Sequence, residues 1–256
     1  MPRDRKDFFY RKAKAEGYRS RAAYKLLQIN KRFHLIRKGD VVVDLGAAPG
    51  GWLQVAKEIS GGNVLGVDLE EIAPIEGVLT VRADITGDDT PKTVGEALSG
   101  DADVVICDAA PNLSGNWSLD HARSIDLARS ALLLARKILR PGGNLLIKVF
   151  QGDMFPDFLS EMKREFLVVR SHSPEASRKA SAEIYVMGLG RLAGPVRVGD
   201  TYDVHIAEIG RSGDGIALIE GFVVFVGNTR VGDSLRIKIK AVKRGYAIGT
   251  PVYRKD

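Results

Sequence analysis

The sequence predicts an α/β protein: a doubly wound, mostly parallel sheet carrying one antiparallel strand, followed by a small all-β barrel. Three observations lead there. The stretch VVVDLGAAPGGWLQVA, residues 41–56, passes from β-branched residues through a glycine-rich turn into a helical pattern, which reads as a buried parallel strand feeding a helix. Strand patterns that end in an acid recur downstream and alternate with helical segments, the rhythm of a βα sheet. At GRLAGPVRVGD, residues 190–200, Gly and Pro cluster and helical periodicity stops, which marks a domain boundary.

Taken in order, SRAAYKLLQINKRFHLI from Ser20 places Ala22, Ala23, Leu26, Leu27 and Phe33 near helical spacing, with Ser20 as the N-cap. The first strand follows. Its glycine turn lies at a strand's carboxyl end and a helix's amino end, the edge where open α/β sheets bind ligands. NVLGVDLE, VLTVRADIT and DADVVICDAAPN read as strands ending at Asp68, Asp84 and Asp108. A helix over residues 120–139, the turn RPGGN and the strand NLLIKVFQG come next, then a helix over 157–165. LVVRSHS and EIYVMGLG read as two strands whose connection of about ten residues is too short for a parallel return. The sheet should therefore end on a reversed strand, whose start puts Glu183 on one rim with Asp68, Asp84, Asp108 and Lys148. Beyond the boundary, YDVHIAEIG, GIALIEG, FVVFVG, SLRIKIKAVK and YAIGTPV give five short strands, and the alternation in SLRIKIKAVK turns Arg236, Lys238 and Lys240 to solvent. The expected organisation is a first domain over 1–190, a linker over 191–198 and a barrel over 199–256.

Composition narrows the function. A chain of 256 residues with 45% hydrophobic content can bury a core, which excludes a disordered or fibrous protein. No apolar run nears the roughly 20 residues of a membrane span, and the amino terminus is charged where a signal peptide would be apolar. A cytoplasmic protein without membrane contact is expected, and nothing demands more than a monomer. The one cysteine, Cys107, reads as a small buried hydrophobe, and four scattered histidines offer no metal-ligand spacing. Residues 1–40 carry 13 Lys and Arg against 4 acids and residues 229–256 carry 8 against 2, while the middle has 17 against 26. One basic run can be no more than a solvated face. Two basic ends around an acidic middle instead fit a nucleic-acid partner.

The rim chemistry has two competing readings. A glycine turn over a helix N-terminus can hold phosphate, but GAAPGGW has neither G-x-G-x-x-G spacing nor G-K-[ST]. A ligand with a nucleoside and no phosphate fits better. S-adenosyl-L-methionine is one, with its amino-acid end on the turn, its ribose at Asp68 and its adenine edge at Asp84.

The motifs SRAAYKL, DLGAAPGGW, VICDAAPN, LLIKVFQG and SAEIYVMG, over residues 7–190, resemble the FtsJ-type ribosomal RNA 2'-O-ribose methyltransferases. The last segment is similar to a TRAM domain, an RNA-binding barrel, as in the archaeal form. The resemblance implies a Rossmann-like class I methyltransferase fold and S-adenosyl-L-methionine as cofactor. Its catalytic Lys-Asp-Lys-Glu set falls on Lys25, Asp108, Lys148 and Glu183. Cofactor contacts fall on Gly46, Pro49, Gly50, Trp52, Asp68, Asp84 and Asp108. The implied substrate is a uridine of large-subunit rRNA, free or within the assembled subunit, gripped by the barrel and by Arg3, Arg5, Lys6, Arg11, Lys12, Lys14, Arg19 and Arg21.

The chemistry agrees with that set. A sulfonium methyl is already activated, so the enzyme must align the ribose hydroxyl and take its proton. A lysine does so only when partly neutral, against an ordinary pKa of about 10.4, and a second amine or burial favours that form. Lys148 is the expected acceptor, with Lys25 tuning it or touching substrate. Singly, each residue has a plainer reading: Lys148 snorkelling at a sheet edge, Lys25 solvated on a helix, Asp108 capping the turn before Pro111, Glu183 paired with Arg178 or Lys179. Methylation of tRNA or an mRNA cap, and a non-catalytic RNA-binding assembly factor, stay open. Trp117 could line the substrate entrance or stack on a base, or simply pack.

Overall fold

The computed structural model describes residues 8–98, 100–178, 181–243 and 245–252. Helices α1 (Phe8–Ala15) and α2 (Ala23–Phe33) precede the sheet, which is built from β1 (Val42–Leu45), β2 (Val64–Asp68), β3 (Val78–Arg82), β4 (Ala102–Cys107), β5 (Leu139–Phe150), β6 (Phe166–His172) and β7 (Glu183–Arg191). Helices α3 (Gly51–Ser60), α4 (Thr90–Leu98), α5 (Trp117–Ile138) and α6 (Phe155–Glu165) lie between them. The strand order is β3-β2-β1-β4-β5-β7-β6. The first five strands are parallel neighbours, and β7 runs antiparallel to both β5 and β6. All four residues of β1 are buried, as a strand covered by helices on both faces must be. One face packs Val43, Leu45, Val105 and Ile147 against Ile125, Ala128 and Leu132 of α5. The other packs Val42, Val104 and Leu146 against Leu26, Ile29, Leu53 and Val55 of α2 and α3.

Several local expectations are corrected. The reversed strand does not end the sheet; β7 is inserted between β5 and β6, so Glu183 lies directly across from Phe150. Strand β3 stops at Arg82, two residues before Asp84, whose carboxylate instead closes a turn by accepting from Thr86 N and Oγ1 at 2.8 and 2.7 Å. RPGGN falls within the bounds of β5, where the pairing with β4 shifts register. Ser20 does not cap α2: the helix begins at Ala23 without a side-chain cap, after three-residue turns in which Ser20, Arg21 and Ala22 carbonyls accept from Ala23, Tyr24 and Lys25. The Ser20 hydroxyl packs over Gly51 instead, where a Cβ would lie 2.3 Å from it.

Among the described residues the second unit has six strands, one more than expected: β8 (Thr201–His205), β9 (Glu208–Ile209), β10 (Gly215–Ile219), β11 (Phe222–Val226), β12 (Ser234–Val242) and β13 (Tyr246–Pro251). YDVHIAEIG, which reads as a single strand, bends at Ile206 and Ala207 and serves both edges of a curled sheet ordered β8-β12-β13-β11-β10-β9. This half-barrel has its own core, to which Leu192 and Val196 contribute from the segment after β7.

Candidate active site

Strand ends and α2 deliver the titratable groups. Lys148 sits two residues before the end of β5, 7% exposed, and Lys25 lies in the first turn of α2, 8% exposed. Lys148 Nζ donates to the Asp108 carbonyl at 2.6 Å and lies 3.1 Å from Asp108 Oδ1. Lys25 Nζ donates to Glu183 Oε2 at 3.0 Å. Between the two pairs stands Tyr185, fully buried. Its hydroxyl donates to Asp108 Oδ1 at 2.6 Å, and its ring centroid is 5.4 Å from Lys25 Nζ. Burial, then the neighbouring Asp108 carboxylate, hold the phenol well above its usual 10.0, so it remains a donor. Sequence reasoning missed Tyr185, although its signal was present: Glu183 and Tyr185 stand two apart on one strand and so share a face.

Glu183 is pulled both ways. Burial pushes its carboxyl up, but the ammonium groups of Lys25 and Lys148, with hydrogen bonding from Lys25 and Ser181, outweigh it and hold the group below its usual 4.5. A depressed carboxyl means that the unfolded chain binds more protons in that window, so the contribution is complete above about pH 4.5 and is lost as pH falls through the folded value. Urea titrations of wild type and Glu183→Gln should thus differ by a constant stability above about pH 5, a difference that shrinks below it. A difference that stays flat down to pH 3 contradicts this electrostatic account.

Next to the cluster, a cleft of about 300 Å³ is lined by Gly46, Ala48, Asp68, Asp84, Asp108 and Leu127, among others. Asp68 fixes the glycine loop: its Oδ2 accepts from Ala48 N at 2.8 Å, while Oδ1 accepts from Glu70 N at 2.9 Å. Gly46 has φ +74°, and a Cβ there would stand 2.6 Å from Ala109 Cβ and 2.9 Å from Ala109 Cα. Gly46→Ala should cost about 1–3 kcal/mol in backbone strain and narrow the cleft, weakening S-adenosylhomocysteine binding at least about tenfold, or 1.4 kcal/mol, in calorimetry. Pro49, Gly50 and Trp52 lie on the loop and the start of α3, outside this lining. The Trp52 indole is 3% exposed, donates from Nε1 to Ala22 O at 2.8 Å and packs 5.8 Å from the Tyr185 ring. What Trp52 offers a ligand is therefore its backbone amide in the unpaired first turn of the helix, not its ring.

Asp44 supplies a further fit to a cationic ligand. It is buried at the end of β1, and neither carboxylate oxygen finds a hydrogen-bond partner among the described residues. Burial, then Asp108 and Asp68, push its pKa well above 3.8. An uncompensated acid whose neighbours Asp68 and Asp108 line the cleft, together with Glu70 and Asp84, suits an ammonium or sulfonium bound there. Because the folded state holds the Asp44 proton longer, this group lowers stability as pH rises above its unfolded value. Asp44→Asn should accordingly raise the melting temperature of the ligand-free protein at neutral pH while weakening its affinity for S-adenosylhomocysteine.

The basic arm divides. Arg3, Arg5 and Lys6 lie outside the described residues. Arg19 is engaged rather than free for phosphate: its guanidinium donates to the carbonyls of Pro49 at 3.1 Å, Ala73 at 2.6 Å and Pro74 at 2.8 Å. It ties the arm to the glycine loop. Arg21 donates to Ala176 O, and Lys12 lies 3.8 Å from Glu16. Arg11 and Lys14 are exposed. On the half-barrel, Arg236 is held by Asp203 at 2.8 and 2.6 Å, whereas Lys238 and Lys240 are exposed. Lys179, once a candidate partner of Glu183, also lies outside the described residues.

A parallel sheet with one inserted reversed strand, a glycine loop at its carboxyl edge and acids at successive strand ends define a Rossmann-like methyltransferase, the fold class whose methyl donor is S-adenosyl-L-methionine. The chain belongs to the FtsJ-like methyltransferase family, whose model matches residues 18–191, and a TRAM domain model matches residues 195–252. It is 61% identical over 254 residues to the ribosomal RNA large subunit methyltransferase E of Methanothrix thermoacetophila, covering 99% of this chain and 100% of that one. The protein of the same name from Natronomonas pharaonis is 52% identical, covering 93% and 95%. Among solved structures, a Plasmodium falciparum chain described as a ribosomal RNA methyltransferase superposes with a TM-score of 0.64 at 27% identity, covering 69% of this chain and 100% of that one.

Proposed function

We propose that this protein, acting in the cytoplasm as a monomer, transfers the methyl group of S-adenosyl-L-methionine to the ribose 2'-oxygen of a uridine in large-subunit rRNA, with Lys148 as proton acceptor. The observation that carries this reading is the convergence of Lys148–Asp108 and Lys25–Glu183 on Tyr185, with Asp108 also on the cleft wall. When bound, the cofactor supplies an electrophilic methyl on a positively charged sulfur. As the oxygen–carbon bond forms and the sulfur–carbon bond breaks, the hydroxyl proton passes to Lys148 Nζ, which must first have given up one proton of its ammonium form. Its new ammonium meets two acceptors already in place, the Asp108 carbonyl and carboxylate, so little reorganisation accompanies the transfer. Lys25, held by Glu183, is placed to orient the ribose. Gly46, Pro49, Gly50 and the Trp52 amide would hold the amino-acid end of the cofactor, Asp68 its ribose and Asp84 its adenine edge.

The domain division at 191–198 assigns catalysis to 1–190 and RNA grip to 199–256. In support, the names of the relatives specify large-subunit rRNA, and exposed Arg11, Lys14, Lys238 and Lys240 suit phosphate contacts that position RNA without reading its sequence. Transfer of labelled methyl from the cofactor to rRNA, mapped by ribose-methylation sequencing, tests the reading on naked transcript and on large subunits. Label confined to tRNA or capped RNA redirects it, and RNA binding without transfer to any RNA makes the protein an assembly factor.

A further inference from the structure

The loop after β4 presents an aromatic ring that the mechanism above does not use. Trp117 opens α5 and is 52% exposed. Its indole stacks near-parallel on two covered rings, His121 at 6.2 Å and 17°, and Phe150 at 6.0 Å and 20°. Half of a planar side chain is thus backed by protein and half faces solvent. An exposed large aromatic usually has freedom to move; here the backbone that carries it is pinned. Buried Asp120 accepts from Ser114 N and Oγ at 2.7 Å each and from Gly115 N at 3.2 Å, and Asn116 caps the helix through Leu119 N at 3.2 Å. His121 in turn accepts from Met154 N at 3.1 Å, which fixes the ring behind the indole. The ring is backed by protein on one side and open on the other.

Its position connects it to the reacting groups. Phe150, its backing ring, is two residues past Lys148 on β5, roughly 6.6 Å along the strand, and faces Glu183 in the β5·β7 register. The indole therefore stands beside the lysine–carboxylate cluster, at the rim where an RNA strand would present its ribose. No phosphate-binding cation is needed there. What fits a rigid, half-open indole is another flat π-system, and stacking an unpaired base on an aromatic side chain is a general means of holding single-stranded RNA. We propose that Trp117 is a nucleobase-stacking site that takes an unpaired base at or next to the methylated nucleotide, and so positions its ribose for Lys148. The proposal rests on the RNA-methylating function above.

The chain has two tryptophans, Trp52 and Trp117, and only the second is exposed, so its emission reports directly on stacking. Titrating the full-length protein with an rRNA transcript should quench the wild-type fluorescence, and Trp117→Phe, which leaves only the buried Trp52, should show no quenching. In steady-state transfer assays Trp117→Ala should raise KM for RNA by roughly 5- to 150-fold, the equivalent of one lost base stack, with a smaller change in kcat. Trp117→Phe should recover most of that loss, and S-adenosylhomocysteine affinity should be unchanged in both variants. A wild type that methylates rRNA without fluorescence quenching, or a Trp117→Ala variant whose KM stays within about twofold, overturns the stacking site while leaving the methylation reading intact. A wild type that transfers no methyl to any RNA removes that reading and this site together. Should Trp117→Ala not fold, the quenching comparison between wild type and Trp117→Phe still decides.

Discussion

Lys148→Ala is expected to lower methyl transfer to rRNA by about 10²–10⁴-fold, the range a positioned general base contributes. Cofactor binding should be unaffected, since Lys148 does not line the cleft. The fold should also survive, because Asp108 keeps the Tyr185 hydroxyl as a partner. Lys148→Arg separates the two duties of the residue. A guanidinium preserves the ion pair with Asp108 but cannot be deprotonated in a protein, so this variant should be as stable as wild type and as inactive as the alanine variant. Single-turnover rates with saturating cofactor check both. An arginine variant retaining more than a tenth of wild-type activity would show that the amine only anchors Asp108 and that the proton leaves by another route.

Asp108→Ala should have the broadest consequence, because one carboxylate serves three roles. It pairs with Lys148, accepts from Tyr185 and forms part of the cleft wall. Removing one member of a buried pair costs about 3–5 kcal/mol, moderated here because Lys148 keeps the Asp108 carbonyl. The stranded Tyr185 hydroxyl adds about 1–3 kcal/mol. At about 2–4 °C per kcal/mol, the melting temperature should drop by at least 6 °C, with activity lost as well. Asp108→Asn keeps an acceptor for Tyr185 and should recover part of the stability but none of the rate. Calorimetric melting and the transfer assay together separate the structural from the chemical share. A variant that melts as wild type does would mean that the carboxylate is solvated and its hydrogen bonds are dispensable.

Much of this architecture could be read in the sequence because its signals are local. The run Val41 to Asp44 with its glycine turn, the acids Asp68 and Asp108 at the ends of β2 and β4, and the short connection before Glu183 each dictate one element and its direction. Glu183 and Lys25 were legible as candidate residues through their motifs, yet which amine meets which carboxylate depends on the insertion of β7, a long-range fact. Helix α1 escaped notice because its fixed residues, Phe9 and Ala13, pack only on Tyr24 and its neighbours. Helix α4 escaped because Thr, Pro and Gly dilute its periodicity in TPKTVGEAL. Arg19 read as a phosphate contact since charge alone does not reveal that three carbonyls converge on it. Asp44 looked like a strand terminus. Its unsatisfied burial becomes apparent only once Asp68 and Asp108 crowd around it.

The placement of β7 has a consequence for biosynthesis. Ribosomes deliver a chain from its amino end, and here the strand that brings Glu183 to Lys25 is the last of the sheet to emerge, yet it belongs in the interior, between two strands made earlier. Until it arrives, β5 presents an open edge of unpaired amides and carbonyls, the kind of surface that recruits foreign strands, and Lys25 lacks its acid. A nascent fragment stopping short of residue 183 should therefore be both sticky and inert, so this rRNA methyltransferase should gain its activity only after β7 has left the exit tunnel.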